Sequence, residues 1–323
     1  MNASSPRHAV MGGAIPLQRV AFRCADFPYM PSATCVWVNS GRAALECILR
    51  SMPQRIGQVW LPCFICNTLL QAVERLQLPV RYYAVDTLLR PVLSPEITAE
   101  DVLVAVNYFG VTGDAVADTV SQAPCTVVVD ATTAFYTPPL PGVACFYSPR
   151  KFAGMADGGI AVAPFPLWVP TGQDSASDAR SMALLQSCSA AAVQAAEDAL
   201  SGAPLRMGEV SKELMLSTNW TSAAQQRLLN YAVLHRALAP LNHLPLPAEP
   251  LHAPMCYPLV SGIPGLRDYL IDARVRLPLY WPEVIAATDA ADAENKLART
   301  LLPLPIDQRY TEQDMEHLLS LVL

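Results

Sequence analysis

The sequence predicts an α/β protein in which a large domain on a mostly parallel sheet is followed by a small α+β domain. From about residue 34 onward, short apolar runs alternate with longer helical patterns, which is typical of parallel sheets covered on both faces. The 323 residues, 52% of them hydrophobic, suffice for one full core and a smaller one. The predicted parts are an N-terminal segment (1–33), the large domain (34–205), and a helical connection with a small C-terminal domain (206–323).

Seven short apolar runs are the predicted strands of the large domain. They lie at 34–39, 58–62, 80–85, 102–109, 125–131, 143–147 and 159–163. The helical patterns between them lie at 41–52, 67–77 and 114–122. No helix is predicted between the last two strands, which are joined by a loop instead. We therefore expect a seven-stranded type of sheet.

The C-terminal part begins with helical patterns at 177–200 and 221–238 and continues through a proline-dense linker at 240–254. Strand-like and helical runs then alternate up to a last helix. That helix opens with Thr311 and carries acidic residues in its first turn, as a stable helix N-terminus does. These runs predict the small α+β domain.

Composition excludes several classes of partner. The formal net charge is −6, and no long run of lysine and arginine occurs, so nucleic acid and anionic membrane surfaces are not expected partners. The chain has no apolar stretch of about 18–20 residues, and its first residues lack the apolar segment of a signal peptide. We expect a cytoplasmic protein whose partner is a small molecule.

The nine cysteines are odd in number and lie mostly within apolar runs. This favours buried free thiols in a reducing compartment over a disulfide framework. Cys63 and Cys66 have the spacing of a redox or metal-binding pair, but no second pair or nearby histidine accompanies them. We favour small apolar residues at both positions and predict no metal site.

Lysine is scarce, and this makes each lysine informative. The chain has 19 arginines but only Lys151, Lys212 and Lys296. Lys212 and Lys296 lie beside acidic residues in polar helical segments, which is typical of surface charge. Lys151 follows an apolar strand, three residues after Ser148, and precedes the flexible run 157–159. Desolvation there would favour the neutral amine that attacks aldehydes, although a surface lysine on a loop is an equal alternative.

Two further features lie at strand ends. Asp130 ends a buried strand, where a carboxylate can keep a ring nitrogen of a ligand protonated or can simply cap a turn. The turn Ser40-Gly41-Arg42 leads from a strand into a helix and could hold a phosphate on backbone amides. With Lys151 these features follow the order found in type I pyridoxal-phosphate folds.

On these residues the sequence resembles the DegT/StrS family of nucleotide-sugar aminotransferases, which have fold type I. Most of the chain takes part in the resemblance. The segments that carry it are NSGRAALECIL (39–49), QVWLPCFICNTLLQAVERLQLPVRYYAVD (58–86), NYFG (107–110), VVVDATTAF (127–135), FYSPRKFAGMADGGIAV (146–162), LPLYWPEV (277–284) and LPLPIDQRYTEQDMEHLL (302–319).

The resemblance implies pyridoxal 5'-phosphate as the cofactor. Lys151 would be the catalytic residue that forms a Schiff base with it and moves the proton during transfer. Asp130 would pair with the pyridine nitrogen. The side chain of Ser148 and the turn at Gly41, Arg42 and Ala43 would hold the phosphate.

Some positions depart from the family pattern. Thr133 stands where the family has glutamine or histidine beside the phenolic oxygen. Cys66 stands at or near the position of the aromatic residue that stacks on the ring, and Phe64 is the candidate substitute. The Gly-x-Asn-x-Arg segment that reaches the phosphate of the partner subunit has no clean match, and Asn219 is the nearest candidate.

The resemblance implies an aminotransferase that moves an amino group from an amino acid, such as L-glutamate, to a keto-sugar nucleotide or related carbonyl compound. A homodimer is implied as well, because active sites of this fold are built across a two-fold interface. Two alternatives stay open: another reaction on the same cofactor, such as elimination or decarboxylation, and a non-catalytic binding or regulatory protein. Family sugar dehydratases replace the lysine, so Lys151 favours transamination over dehydration.

Overall fold

The computed structural model describes residues 11–13, 15, 29–186, 190–200 and 202–323. In chain order the strands are β1 (Met11–Gly12), β2 (Cys35–Val38), β3 (Val59–Pro62), β4 (Val80–Val85), β5 (Pro91–Val92), β6 (Val102–Val106), β7 (Thr126–Ala131), β8 (Ala144–Tyr147), β9 (Gly159–Val162), β10 (Tyr257–Val260), β11 (Val275–Arg276) and β12 (Leu301–Leu304).

The helices lie between these strands and in the C-terminal part. They are α1 (Gly41–Arg50), α2 (Leu70–Arg75), α3 (Gly113–Gln122), α4 (Ser177–Gln186), α5 (Ala190–Asp198), α6 (Glu209–Ser217), α7 (Trp220–Leu238), α8 (Leu266–Asp272), α9 (Pro282–Ala287), α10 (Ala293–Thr300) and α11 (Glu312–Val322). None of the described helices is long and apolar enough to cross a bilayer.

A central sheet of eight strands, in the order β2-β9-β8-β7-β6-β3-β4-β5, organises the large part of the chain. The five strands β4, β3, β6, β7 and β8 run parallel, which confirms the predicted mostly parallel sheet. All seven predicted strands are present. The eighth, β5, is a two-residue antiparallel edge strand, too short to give a period in the sequence.

β9 lies antiparallel between β8 and β2. This follows from the loop that joins β8 to β9, because a parallel pair would need a longer crossover connection. The carboxyl ends of β6, β7 and β8 lie at one edge of the sheet, and the segments that follow them meet there. This edge is where open α/β sheets bind ligands.

The C-terminal part has its own core. β10 and β12 pair antiparallel, and α7 packs against α11. Tyr231, Tyr257, Leu304 and Leu318 are fully buried in this core. Thr311 caps α11, and its side chain and that of Asp314 make reciprocal contacts with the backbone, as predicted for this helix start.

A close approach of backbone fixes the start of β9 against the turn that precedes α1. Gly158 N–H donates to the carbonyl oxygen of Asn39 at 2.8 Å. A Cβ atom on Gly159 would lie 2.1 Å from the carbonyl oxygen of Ser40. Only glycine fits at this position without moving the backbone.

We therefore predict that Gly159→Ala lowers the free energy of unfolding by about 3 kcal/mol, because an added methyl group in a tightly packed site forces the backbone apart. Urea denaturation measures the change. Gly113→Ala is the control, since its Cβ would meet only Asn107 Nδ2 at 3.9 Å and it starts α3. Equal stability of the Gly159→Ala protein and the parent would contradict the prediction.

Candidate active site

A cavity of about 670 Å³ opens at the carboxyl edge of the sheet, and we call it the sheet-edge cavity. The end of β6, the loops after β3, β7 and β8, the start of α1, α5 and the segment before α9 contribute to its wall. Seven residues predicted from the sequence line it: Gly41, Arg42, Cys66, Asp130, Thr133, Ser148 and Lys151. Chain segments more than a hundred residues apart thus meet where the sequence predicted a site.

Lys151 ends the short 3-10 turn Pro149–Lys151 that follows β8. It is exposed to the cavity, and its amine donates to Thr132 Oγ1 at 3.2 Å. The protein groups around the cavity desolvate the ammonium and lower the pKa of Lys151, while the Asp130 carboxylate acts in the opposite direction. The amine is therefore more readily neutral than that of an ordinary lysine.

Asp130 lies near the end of β7, with 3% of its surface exposed. Its Oδ1 accepts a hydrogen bond from Thr132 N–H at 2.8 Å. Burial raises the pKa of this carboxyl group, whereas Lys151 and the Thr132 amide lower it. A buried carboxylate on a cavity wall suits a cationic or protonated partner group.

The start of α1 forms another side of the cavity. Gly41 allows close approach, because a Cβ atom there would lie 2.8 Å from Thr132 Cγ2. Ser148 also lines this side, and its hydroxyl makes only a long 3.5 Å contact with the carbonyl oxygen of Gly158. The N-terminal N–H groups of a helix at such a place favour an anion.

The structure does not support Ala43 as a phosphate ligand. Ser40 is the N-cap of α1, and its hydroxyl accepts the Ala43 N–H at 3.2 Å. Ala43 is fully buried and lies outside the cavity wall. The amide that the sequence assigned to the ligand instead completes the helix cap, as serine N-caps commonly do.

Two arginines make this end of the cavity cationic. Arg42 donates from Nη2 to the carbonyl oxygen of Leu200 at 2.8 Å. Arg150 is ion-paired with Glu197 of α5, and within the described residues its buried Nε has no hydrogen-bond partner. Desolvation and then Arg150 lower the pKa of Arg42, so the two cations are close enough to repel each other.

The aromatic residue at the cavity is not the one proposed from the sequence. Phe64 is fully buried and lies outside the wall, behind Trp281, with ring centroids 4.6 Å apart. Cys66 lines the cavity, and its sulfur lies 3.0 Å from Thr68 Oγ1. Trp281 and Tyr280 reach the cavity from the far end of the sequence, so either ring could face a planar ligand.

Thr133 lines the cavity, but its hydroxyl group is hydrogen-bonded to backbone groups. It donates to the carbonyl oxygen of Asn107 and accepts the N–H of Phe109, both at 3.0 Å. These bonds hold the turn after β6, in which Phe109 has a φ of 56°. Thr133 therefore positions a strained turn beside the site, and its neighbour Thr132 contacts Lys151.

Asn219 lies elsewhere. It is exposed at the start of α7, where its side chain accepts the Ser222 N–H at 2.9 Å. It does not line the sheet-edge cavity of its own chain. Its predicted contact with the phosphate of a partner subunit stays a prediction.

Sequence reasoning missed Thr132, Arg150, Glu197 and Trp281. Arg150 and Thr132 adjoin predicted residues, but the sequence does not show whether a side chain points into the cavity. Glu197 and Trp281 come from distant segments, for which a single sequence gives no signal. Cys63 and Cys66 are free thiols, and both are partly buried. No group of residues in the described ranges could hold a metal ion.

A second cavity of about 890 Å³ adjoins the first, and Lys151, Arg150, Glu197 and Tyr280 line both. We call it the arginine cavity, because Arg227, Arg274 and Arg276 also line it. Lys151 is thus reachable from two sides. One cavity presents the carboxylate and the helix start, and the other presents arginines.

We predict that Lys151 titrates below the ordinary lysine value of 10.5. Reductive ¹³C-methylation and NMR titration measure this for each of the three lysines, and Lys151→Arg assigns the signal. Asp130→Asn should lower the midpoint further, because the carboxylate stabilises the ammonium. Glu209→Gln removes a carboxylate next to Lys212 instead and should leave Lys151 unchanged. A Lys151 midpoint at or above the ordinary value would overturn the prediction.

No protein-family model matches the chain, and a search of curated proteins gives no match. Solved structures do match in fold. The sugar aminotransferase CalS13 from Micromonospora echinospora has a TM-score of 0.64 and 20% identity, covering 90% of this chain and 86% of that one. A DegT DnrJ EryC1 StrS aminotransferase from Brucella abortus has a TM-score of 0.61 and 13% identity, with 89% and 84% covered.

A third structure carries a different reaction on the same fold. It is a GDP-4-keto-6-deoxymannose-3-dehydratase with a trapped PLP-glutamate geminal diamine, with a TM-score of 0.62, 13% identity, and 90% of this chain and 88% of that one covered. At these identities the likeness is one of fold. The predicted fold is confirmed: the chain has the type I fold of the sugar aminotransferases that its sequence resembles.

Proposed function

We propose that this protein is a pyridoxal-phosphate-dependent aminotransferase of the DegT/StrS type. It transfers an amino group from an amino acid, L-glutamate, to the keto group of a sugar nucleotide or a related small carbonyl compound. The observation that carries the proposal is that one cavity holds a lysine amine of lowered pKa, a buried carboxylate and a cationic helix start. The fold of sugar aminotransferases supports it.

The residues of the sheet-edge cavity fit the parts of this cofactor. Its phosphate would lie at Gly41, Ser148, Arg42 and Arg150, where cations and helix N–H groups favour an anion. Asp130 would face the pyridine nitrogen and keep it protonated. When bound, pyridoxal phosphate supplies an aldehyde and an electron sink for negative charge at the α-carbon of an amine.

The protein contributes binding, orientation and proton transfer. Lys151 would supply the amine that reacts with the aldehyde and, as a base, would take the proton from the α-carbon of the amino donor. Thr132 orients the amine through the 3.2 Å hydrogen bond to Nζ. Tyr280 and Trp281 add apolar ring surface to the wall of the same cavity.

Transamination is favoured over sugar dehydration by the lysine itself. Dehydratases that resemble this family replace it, whereas here it is present, desolvated and oriented. A dehydratase nevertheless shares the fold, and elimination is the second candidate. The two reactions differ at the carbonyl acceptor, which gains an amino group in transamination and loses a hydroxyl group in elimination.

Cofactor binding is the first test. Purified protein with added pyridoxal phosphate should absorb in the visible range, and borohydride should fix the cofactor to the peptide that contains Lys151. Lys151→Arg keeps the positive charge but removes the reactive amine, so labelling should be lost. Lys296→Arg on the surface is the matched control and should label as the parent does. A colourless protein that resists labelling would eliminate both enzymatic candidates.

The reaction type is the second test. L-Glutamate is added to protein that has been loaded with pyridoxal phosphate but not treated with borohydride. The absorbance should shift to that of the pyridoxamine form, and one equivalent of 2-oxoglutarate should be released per site. A spectral change without a keto acid would favour elimination or decarboxylation of the amino acid itself. A carbonyl acceptor that loses a hydroxyl group instead of gaining an amino group would favour elimination at the sugar. The measurement is a coupled assay of 2-oxoglutarate beside the spectrum.

We propose in addition a homodimer in which Asn219 of one subunit reaches the phosphate of the other. Asn219→Ser and Asn219→Asp both keep a good helix N-cap, but the aspartate adds a negative charge. We expect the aspartate variant to bind pyridoxal phosphate about tenfold more weakly than the serine variant, while both stay dimeric. Fluorescence titration and sedimentation measure these quantities. A monomer at micromolar concentration, or equal affinities, would contradict the proposal.

A further inference from the structure

The arginine cavity has an unbalanced charge. Among the described residues, four arginines line it, against two acidic residues, Glu197 and Asp307. Glu197 is paired with Arg150, and Asp307 makes a bidentate pair with Arg309. Both carboxylates are therefore already paired, and neither balances the charges of the other arginines that line the cavity.

Arg227 is a structural cation in this wall. It has 1% of its surface exposed and donates to Gln308 Oε1 and to the carbonyl oxygen of Met255 at 3.1 and 2.9 Å. Its guanidinium also lies 5.0 Å from the ring of Phe152. Its N–H groups are therefore used in hydrogen bonds within the protein and are not offered to a ligand.

Arg274 and Arg276 differ from Arg227 in this respect. Both side chains are exposed, and within the described ranges neither has a carboxylate or a carbonyl oxygen as a side-chain partner. They come from the same short segment, at and before β11, and both line the cavity. Two guanidinium groups on one wall, neither paired with a carboxylate or carbonyl oxygen of the described residues, suit an oxyanion.

The backbone around these arginines is specialised. Arg274 has a φ of 65° directly after α8, a position where glycine is the usual residue. A left-handed conformation costs a residue with a Cβ atom about 1–2 kcal/mol relative to the right-handed one. An arginine kept in that conformation supplies a side chain that glycine could not.

Arg276 packs against Gly12 of β1 and against Gly13, which follows that strand. β1 pairs with β11, placing Gly12 beside Arg276. A Cβ atom on Gly13 would lie 2.9 Å from Arg276 Cδ, so the arginine stem runs directly along the backbone. Gly12 N–H in turn donates to the Tyr310 hydroxyl at 2.6 Å. The stem of Arg276 is thus positioned against a backbone that is itself held by a hydrogen bond.

We propose that Arg274 and Arg276 bind an oxyanion at the end of the substrate that lies away from the reacting carbon. This rests on the proposed function, which places the reacting carbon at Lys151. A cavity of about 890 Å³ is at the upper end for small-molecule sites, so it admits a substrate larger than an amino acid. A nucleoside diphosphate group or the distal carboxylate of a dicarboxylic donor would supply the oxyanion.

Calorimetric binding to the protein loaded with pyridoxal phosphate tests this, because the anion site of the sheet-edge cavity is then filled. The probes are uridine diphosphate, 2-oxoglutarate and the neutral methyl glucoside. We expect at least one anion to bind, to weaken with added salt, and to weaken about tenfold or more in Arg274→Gln and Arg276→Gln. Arg276→Lys should retain part of the affinity, and Arg236→Gln on the surface of α7 is the control.

The pattern of loss distinguishes the sources of the anion. A loss for uridine diphosphate alone identifies phosphate, and a loss for 2-oxoglutarate alone identifies the carboxylate of a donor. Affinities that both arginine variants leave unchanged, or that only Arg42→Gln reduces, would overturn the inference while cofactor loading still supports the proposed function. Failure of cofactor loading overturns the proposed function separately, since loading is measured by absorbance before any anion is added.

Discussion

The site depends on the close contact between the start of β9 and the turn that precedes α1. This contact places the loop that carries Lys151 directly over the helix start, because β9 begins only a few residues after that loop. β9 also lies between β2 and β8. The first and last strands of the central sheet in chain order, β2 and β9, are therefore neighbours at one side of that sheet. Without it the lysine and the helix N-terminus would belong to separate segments with no fixed distance.

The same contact fixes the position of the start of α1 relative to the amine of Lys151. Ser40 caps α1 with its side chain and packs its carbonyl oxygen against Gly159. Thr132 touches the same region twice, through its methyl group at Gly41 and through its hydroxyl at Lys151. A shift of one element would therefore move both the amine and the helix start, so geometry at this site is set jointly by three segments.

The sequence predicted the sheet well because strands buried on both faces leave continuous apolar runs. β6 and β7 are nearly entirely buried and were recognisable for that reason. Asp130 and Lys151 were recognisable because each follows such a run and differs sharply from it in chemistry. β5 was not recognisable, since two residues carry no period.

The rest of the site could not be predicted, because it depends on directions and on distant contacts. Ala43 adjoins the right turn, but its amide points into the cap of its own helix. Phe64 has a suitable ring, yet packing places Trp281 between it and the cavity side of the wall. Trp281 reaches the cavity from a segment more than two hundred residues away, with a φ of 53° that no local pattern indicates.

The segment from Arg274 to Trp281 has a particular role in this arrangement, since it borders both cavities. Its two ends, Arg274 and Trp281, have left-handed backbone, which residues with side chains adopt at an energetic cost. Between them Tyr280 lines both cavities. β11 lies within this segment and pairs with β1, so the arginines are anchored by the backbone while Tyr280 and Trp281 follow them along the same chain. One short segment therefore contributes both the arginines of one cavity and the aromatic rings that line the cavity of Asp130 and Lys151, so a single ligand that spans both cavities would contact both ends of this segment.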